Sequence, residues 1–313
     1  MVQKVKEWGI NMNLKQLESF SYIIETRSFS QAASKLYLTQ PTISSHIALL
    51  EKELNCQLLI RTTKDVSPTE DGKKLYIYAK QILRLQRSIL EEFNVLNEDE
   101  KPVITLGASS IPEQYILPEI LPKYLKKNKI EFKISQGDSF DVINKVINKE
   151  SEIGLVGTEI ENSNLIFEPF FKDKLVIVTP VRDKYLRMKN EGFHLNDLLK
   201  EPIIIREEGS GTRKEMKEFL KHMNVDIKDL NVIATLNSIE AIKKSIQNNM
   251  GISIMSNLSV KDYVDDNRVL VFDFEEESIY RNLYIVRHKE MYMSKVALKF
   301  IKFMREIYKE LAY

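Results

Sequence analysis

Thr39-Gln40-Pro41-Thr42-Ile43-Ser44-Ser45-His46-Ile47-Ala48-Leu49-Leu50-Glu51-Lys52-Glu53-Leu54 is the stretch on which the reading of this chain turns. Ile43, Ile47, Leu50 and Leu54 recur at three- and four-residue spacing, which predicts a helix from Gln40 to Leu54 with one buried stripe. Thr39 can cap it, and Pro41 falls in its first turn, where a missing N–H costs nothing. Just upstream a shorter helix is predicted from Ser30 as N-cap, with Ala32, Ala33 and Leu36 as its apolar positions. The small alanines let the two helices cross closely. Two short helices joined by the tight Tyr37-Leu38 turn describe a helix-turn-helix, whose second helix offers its N-terminal residues to base edges. Leu14, Leu17, Phe20, Ile23 and Ile24 place a supporting helix before it, ending near Thr26.

Downstream, Gln57 to Thr69 reads as two short strands around a polar tip at Thr62-Thr63-Lys64-Asp65, a wing. Thr69-Glu70-Asp71-Gly72 opens a long helix with acidic residues in its first turn. It is expected to run to about Asn97. Leu75, Ile82, Ile89 and Leu96 recur every seven residues, and Tyr78, Leu85 and Phe93 fall near a second seam position. Such heptads favour pairing between two chains. Asn97 to Pro102 is polar and ends in proline, a domain boundary. The expected divisions are 13–70 for the winged helix-turn-helix, 71–98 for the linker and dimerisation helix, and 99–313 for the remainder.

Beyond the boundary the rhythm becomes strand–helix alternation. Strands are predicted at Val103–Gly107, Phe132–Ser135, Ile153–Val156 and Lys174–Thr179, with helices at Pro112–Lys127 and Ser139–Asn148. A second set follows: strands at Pro202–Ile205, Val232–Thr235, Ile252–Met255, Val269–Phe272 and Leu283–Val286, helices at Arg213–Lys221 and Ile239–Asn248. The last helix is expected at Ser294–Leu311. This alternation implies parallel sheets flanked by helices, an α/β class. Two such sets suggest two lobes with a cleft between them.

The 313 residues carry a net charge of only +1, so DNA binding has to come from a local surface rather than from a polycation. Cys56 is the one cysteine, which excludes an internal disulfide and suits a reducing cytoplasm. No apolar run approaches the ~20 residues of a membrane span. Met1 to Met12 lacks the apolar stretch and cleavage site of a signal peptide, so a cytoplasmic location is expected. His46, His194, His222 and His288 are scattered, with no His-x-x-x-His or Cys-x-x-Cys spacing, and no metal is expected. No Gly-x-Ser-x-Gly elbow or P-loop occurs. An enzyme is not expected, nor is a cofactor. The competing class is a cytoplasmic small-molecule-binding protein without promoter-specific DNA recognition.

Phe29-Ser30-Gln31-Ala32-Ala33-Ser34-Lys35-Leu36, Thr39 to Ser44, and Leu49 to Leu54 resemble the N-terminal signature of LysR-type transcriptional regulators. Leu58-Leu59-Ile60-Arg61 and Thr69 to Gly72 fit the same pattern. The resemblance is strong over about residues 13–75 and collinear beyond. It implies a winged helix-turn-helix, a long dimerisation helix and a two-lobed, periplasmic-binding-protein-like effector domain, assembled as a dimer or tetramer. The chain departs from the family at Ser45 and His46, where a cation and an amide are usual. It also departs in the wing around Leu59-Ile60 and Ser67-Pro68-Thr69.

Candidate DNA-contacting residues are Gln40, Pro41, Thr42, Ser44, Ser45 and His46 on the reading helix, with Arg61 and Lys64 on the wing meeting phosphates. Gln40 can pair bidentately with adenine, and the Thr42 methyl suits thymine. The expected partner is double-stranded promoter DNA with an inverted repeat, with RNA polymerase as a further partner and no membrane. Ligands in open α/β sheets sit beyond the carboxyl ends of strands, near helix N-termini. Three turns meet that rule: Ser109-Ser110, Gly157-Thr158 and Gly209-Ser210-Gly211-Thr212. With Ser139 as a weaker candidate, they predict a neutral cradle for a small anionic metabolite. Arg206 and Arg213 are secondary candidates. The Ser-Ser and Gly-Ser-Gly-Thr turns are similar to those of relatives that respond to sulfur metabolites.

Overall fold

A computed structural model describes residues 12–62, 65–93, 101–275 and 277–309. The chain divides into two compact units, Met1–Glu100 and Lys101–Tyr313.

The first unit holds α1 (Leu14–Thr26), α2 (Phe29–Lys35), α3 (Gln40–Leu54), β1 (Leu59–Arg61), β2 (Val66–Pro68) and α4 (Glu70–Glu92). Asn13 and Gln16 close α1 with a reciprocal capping box, at 3.0 and 2.9 Å. Leu17, Phe20 and Ile23 of α1 bury against Ala32 and Ala33 of α2 and Ile43, Ile47 and Leu50 of α3. The predicted stripe of α3 is therefore its buried face, except for Leu54, which stays exposed. α2 begins at Phe29, two residues earlier than a cap at Ser30 implies, and its cap is Ser28. Ser28 Oγ accepts from the Gln31 N–H at 3.3 Å. Phe29 packs against the core from inside the helix, which moves the cap back to Ser28.

Between α2 and α3, Tyr37 takes a left-handed conformation (φ +54°). Its N–H donates to Ser34 O at 3.2 Å, and Leu38 N–H donates to Ala33 O at 2.9 Å. β1 and β2 pair antiparallel from Leu59 opposite Pro68 to Arg61 opposite Val66. At the wing tip Thr62 and Asp65 exchange hydrogen bonds; Lys64 lies outside the described residues. Gly72 explains the turn into α4. A Cβ there would lie 2.0 Å from Leu58 O, so only glycine lets the helix start so close to the backbone before β1. Along α4, Ala79 is buried and Leu75 is half-buried in the core, whereas Tyr78, Ile82, Leu85, Ile89 and Phe93 form an exposed apolar stripe. The predicted seam residue Leu96 lies outside the described residues.

The second unit begins with β3 (Val103–Ser109), α5 (Leu117–Leu125), β4 (Glu131–Gly137), α6 (Ser139–Ile147), β5 (Ile153–Val156) and β6 (Leu165–Pro180). It continues with α7 (Asp183–Glu191), α8 (Leu195–Leu198), β7 (Pro202–Arg206), α9 (Gly211–His222), β8 (Asn231–Leu236), α10 (Ile239–Gln247) and β9 (Ser253–Ser256). α11 (Lys261–Asp265), β10 (Val269–Phe272), β11 (Ile279–His288) and α12 (Lys295–Tyr308) complete it. The predicted Pro112–Lys127 helix is entered through a wide π turn at Pro112–Ile116.

The sheets are mixed rather than wholly parallel. In the first lobe β4, β3 and β5 run parallel, followed by antiparallel β11 and the first half of β6. In the second lobe β8 and β7 are parallel, and β7 meets β9 at the Ile203–Ile252 bridge. The second half of β6 then pairs with β9 on one side and β10 on the other. Thus β6 and β11 pass through both lobes. The sequence predicts only Lys174–Thr179 of the 16-residue β6. Its first half carries Pro169 among charged residues, which hides the strand. Pro169 stands opposite the register shift at Leu283/Tyr284, where a residue without an N–H is tolerated.

Candidate functional site

On α3, Gln40, Pro41 and Ser45 are exposed, and Thr42, Ser44 and His46 are half-buried. Thr39 Oγ1 accepts from the Thr42 N–H at 3.4 Å and lies 2.8 Å from Thr42 Oγ1. These bonds hold the first turn in place and set the outward row. His46 does not point wholly outward. Its Nδ1 lies 2.7 Å from Oγ of Ser19, a fully buried residue of α1, leaving Nε2 as the ring's other polar atom. Ala48, Leu49 and Lys52 are also exposed, three, four and seven residues beyond Ser45. Sequence reasoning passed over them, although the same helical spacing that finds the buried stripe assigns them to the outer face. On the wing the Arg61 guanidinium stacks 4.6 Å from the centroid of Phe29, at the start of α2. Stacking uses the guanidinium face and keeps its in-plane donors for another partner.

In the second unit Ser109, Ser110, Ser139, Ser210, Gly211 and Thr212 line one cavity, together with Ile111, Asp138, Arg206 and Arg281. Three helix N-termini meet there: the π turn leading to α5, α6, and α9. Each presents unpaired N–H groups and a partial positive charge. Of the remaining candidates, buried Thr158 donates to Glu159 O at 3.4 Å and does not line the cavity. Gly209 sits behind the wall, where a Cβ would lie 1.9 Å from Asp138 Oδ2. A Cβ on Gly211 would lie 2.5 Å from Gly157 O. The two loops therefore touch backbone to backbone across the cleft. Ser139 is not the cap of α6; Asp138 Oδ1 fills that role, accepting from Asp141 N–H at 2.8 Å. Ser139 Oγ instead accepts from the Gly157 N–H at 3.3 Å.

The cradle is not neutral, as the serines and glycines alone suggest. Arg206 is buried; it grips Glu207 through Nε at 2.8 Å and Nη2 at 2.7 Å, and also reaches Ser110 Oγ at 3.3 Å. Arg281, missed in the sequence, donates from Nε to buried Asp173 at 2.9 Å, with Nη2 2.8 Å from the same oxygen. Ser256 Oγ completes Asp173 at 2.7 Å. Arg213 bonds Arg206 O and Glu208 rather than the cavity. Beside Arg281, Glu215 has its pKa raised chiefly by burial, with Arg281 pulling it back down. The cavity's internal volume is about 10 Å³, room for about one water and far below the roughly 300–1,000 Å³ of drug-sized pockets. Among the described residues there is no group of three or more His, Cys, Asp or Glu placed to hold a metal. No helix among them is long and apolar enough to cross a membrane.

Comparison with known proteins places both sites in context. Residues 14–73 match the family described as bacterial regulatory helix-turn-helix protein, lysR family, and residues 97–309 that described as LysR substrate binding domain. An HTH-type transcriptional regulator of Methanocaldococcus jannaschii is 31% identical over 295 residues, covering 94% of this chain and 99% of that protein. Full-length OxyR of Pseudomonas aeruginosa has the same fold (TM-score 0.73, 17% identity, 94% of this chain and 95% of that one). The regulatory domain of Synechocystis CcmR, in complex with 2-PG, superposes with a TM-score of 0.61 at 25% identity, covering 67% of this chain and 99% of that one.

Proposed function

The chain belongs to the LysR family of transcriptional regulators, and we propose that two copies read an inverted-repeat promoter site while a small anion in the cleft sets their state. On the DNA side, α3 enters the major groove. Gln40 reads adenine, Thr42 meets a thymine methyl, and Ser44, Ser45 and His46 reach bases or phosphates beside Pro41. Arg61 neutralises a backbone phosphate, and so does Lys64 by its place in the sequence. The exposed stripe Tyr78, Ile82, Leu85 and Ile89 supports the pairing, since an apolar helix face in water gains by covering itself with a second copy. Pairing sets two reading helices against two half-sites.

One observation carries the effector reading: three helix N-termini and two buried guanidiniums converge on a single small cavity. Backbone N–H groups and hydroxyls there donate to an anion, and the low local dielectric strengthens each bond. The ligand in the Synechocystis relative is brought to this chain only as a class, a small molecule.

Two measurements test the reading. In a gel shift, the region upstream of the protein's own gene should bind more tightly than random duplex. Each lost phosphate contact should lower the salt slope by about one unit. In a thermal shift, small anions should raise the melting temperature of the wild type and not of Arg206→Ala. Equal affinity for promoter and random duplex, with and without small anions, would remove the promoter assignment and favour a plain binding protein. Unaltered anion binding by Arg206→Ala would remove the cavity.

A further inference from the structure

We propose that His46 reads a guanine through a hydrogen-bond donor at Nε2, and that buried Ser19 is the positioning residue that fixes this polarity, on the footing that α3 is the DNA-reading helix.

Ser19 lies in α1 and is fully buried, with its Oγ 2.7 Å from Nδ1 of His46. A hydroxyl and an imidazole nitrogen at that distance share one hydrogen, and either group can supply it. Burial decides between them. If Nδ1–H donated, the hydroxyl hydrogen of Ser19 would need a second acceptor. The usual one for a serine inside a helix is the carbonyl four residues back, here that of Lys15. Thr26 of the same helix bonds in that way, to Tyr22 O at 2.7 Å. For the Ser19 hydroxyl, His46 is the one partner among the described residues. A buried donor left unmet is costly, whereas a spare lone pair is tolerated more easily. Ser19 therefore donates and Nδ1 accepts, so the hydrogen of the neutral ring sits on Nε2.

Nε2 has no partner among the described residues and is open to water. His46 follows exposed Ser45 and stands one turn beyond Thr42 on α3. A donor there suits the acceptors of the major groove. Guanine offers two side by side, N7 and O6. Adenine pairs its N7 with an N6 donor, thymine offers a lone O4, and cytosine presents only a donor. The opposite tautomer would make Nε2 an acceptor and select adenine or cytosine. A hydroxyl too deeply buried to touch DNA thus chooses the class of base.

Polarity and base are tested by separate measurements. Solid-state NMR of the full-length protein carrying nitrogen-15 histidine would be recorded at about pH 8, where imidazole is ordinarily neutral. His46→Ala identifies the signal. His46 should show hydrogen on Nε2 and a hydrogen-free Nδ1; hydrogen on Nδ1 overturns the proposal. The base is read in gel shifts on the duplex upstream of the protein's own gene. Each guanine in turn is replaced by 7-deazaguanine, which lacks N7, or by adenine, which lacks O6. At one guanine in a half-site, at least one replacement should weaken wild-type binding about fivefold, the worth of one hydrogen bond, and His46→Ala less than about twofold. Ser19→Ala should lose the same guanine preference, and should change nothing further in a His46→Ala background. A merely structural Ser19 would instead weaken every duplex alike, with or without His46. The proposal is overturned if no guanine replacement separates wild type from His46→Ala, or if Ser19→Ala keeps the full preference. If the upstream duplex binds no better than random sequence, the promoter reading falls and the guanine assignment with it, while the spectrum still decides which nitrogen carries the hydrogen.

Discussion

The outer face of α3 and the cleft of the second unit are both polar, yet they are built in opposite ways. The α3 face comes from one short stretch, Gln40 to His46, in which Gln40, Pro41 and Ser45 are exposed and Thr42, Ser44 and His46 half-buried, with only Thr42 and His46 bonded to other side chains. The cleft gathers residues from separate segments between Ser109 and Arg281, most of them buried and already partnered. A surface that meets a polyanion needs little support, because water solvates it until the partner arrives. A buried site must satisfy its polar groups in advance, since each unpaired one is costly. Substitutions should therefore cost binding on α3 and folding in the cleft.

The largest expected departure is at Arg281. Arg281→Met leaves Asp173 buried with only Ser256, and should destabilise the second unit by about 3–5 kcal/mol in urea unfolding. Adding Asp173→Leu should recover most of that loss. If the single variant unfolds like wild type, the cleft does not depend on its buried pairs for folding and the comparison fails. Gly211→Ala comes next. Its methyl would meet Gly157 O and should cost about 1–3 kcal/mol by overpacking, read as a lower melting temperature and a smaller anion-induced shift.

On α3, Gln40→Ala should leave the melting temperature unchanged. It should relax one operator position by about 1–3 kcal/mol, read by binding to a set of single-base variants. A drop in stability instead would mean that the outer face is structural too. Tyr37→Gly should raise the stability of the first unit slightly, by about 0.5–1 kcal/mol, since Tyr37 is 97% exposed and holds a left-handed backbone. The smallest effect is one of pH. Buried His288 has its pKa lowered by burial and by Lys149. A base whose folded pKa is lowered keeps its contribution above its unfolded value of about 6.5 and loses it as the pH falls below that. Stability of the second unit should thus decline slightly below about pH 6.5, and His288→Gln should flatten that part of the curve.

The same contrast governs what could be read from residues alone. The bounds of α3 follow from four apolar positions and a threonine cap, all local, and Ile153–Val156 and Val269–Phe272 are equally plain apolar runs. Two of the three candidate turns, at Ser109-Ser110 and Ser210-Gly211-Thr212, announce themselves by serine and glycine after a strand and do line the cavity, whereas Thr158 carries the same signal and stays out of it. Arg281 does not, because its meaning comes from Asp173, 108 residues away. Only the register of β6 against β11, with its shift opposite Pro169, brings the two together. Asp138 goes unmarked in sequence, and becomes a cavity wall only once the fold sets Gly209 against it. His46 reads as a wholly outward side chain in sequence, and only the fold shows Ser19, from another helix, holding one of its nitrogens.

Gly72 has a consequence for the geometry of reading. With no side chain between α4 and the Leu58 carbonyl, the joining helix is seated directly against the backbone that leads into the wing. On the proposed pairing of two copies, the distance between the two recognition surfaces should then be set at this seat rather than by adjustment on the duplex. The protein should tolerate altered bases within a half-site better than one base pair inserted between half-sites.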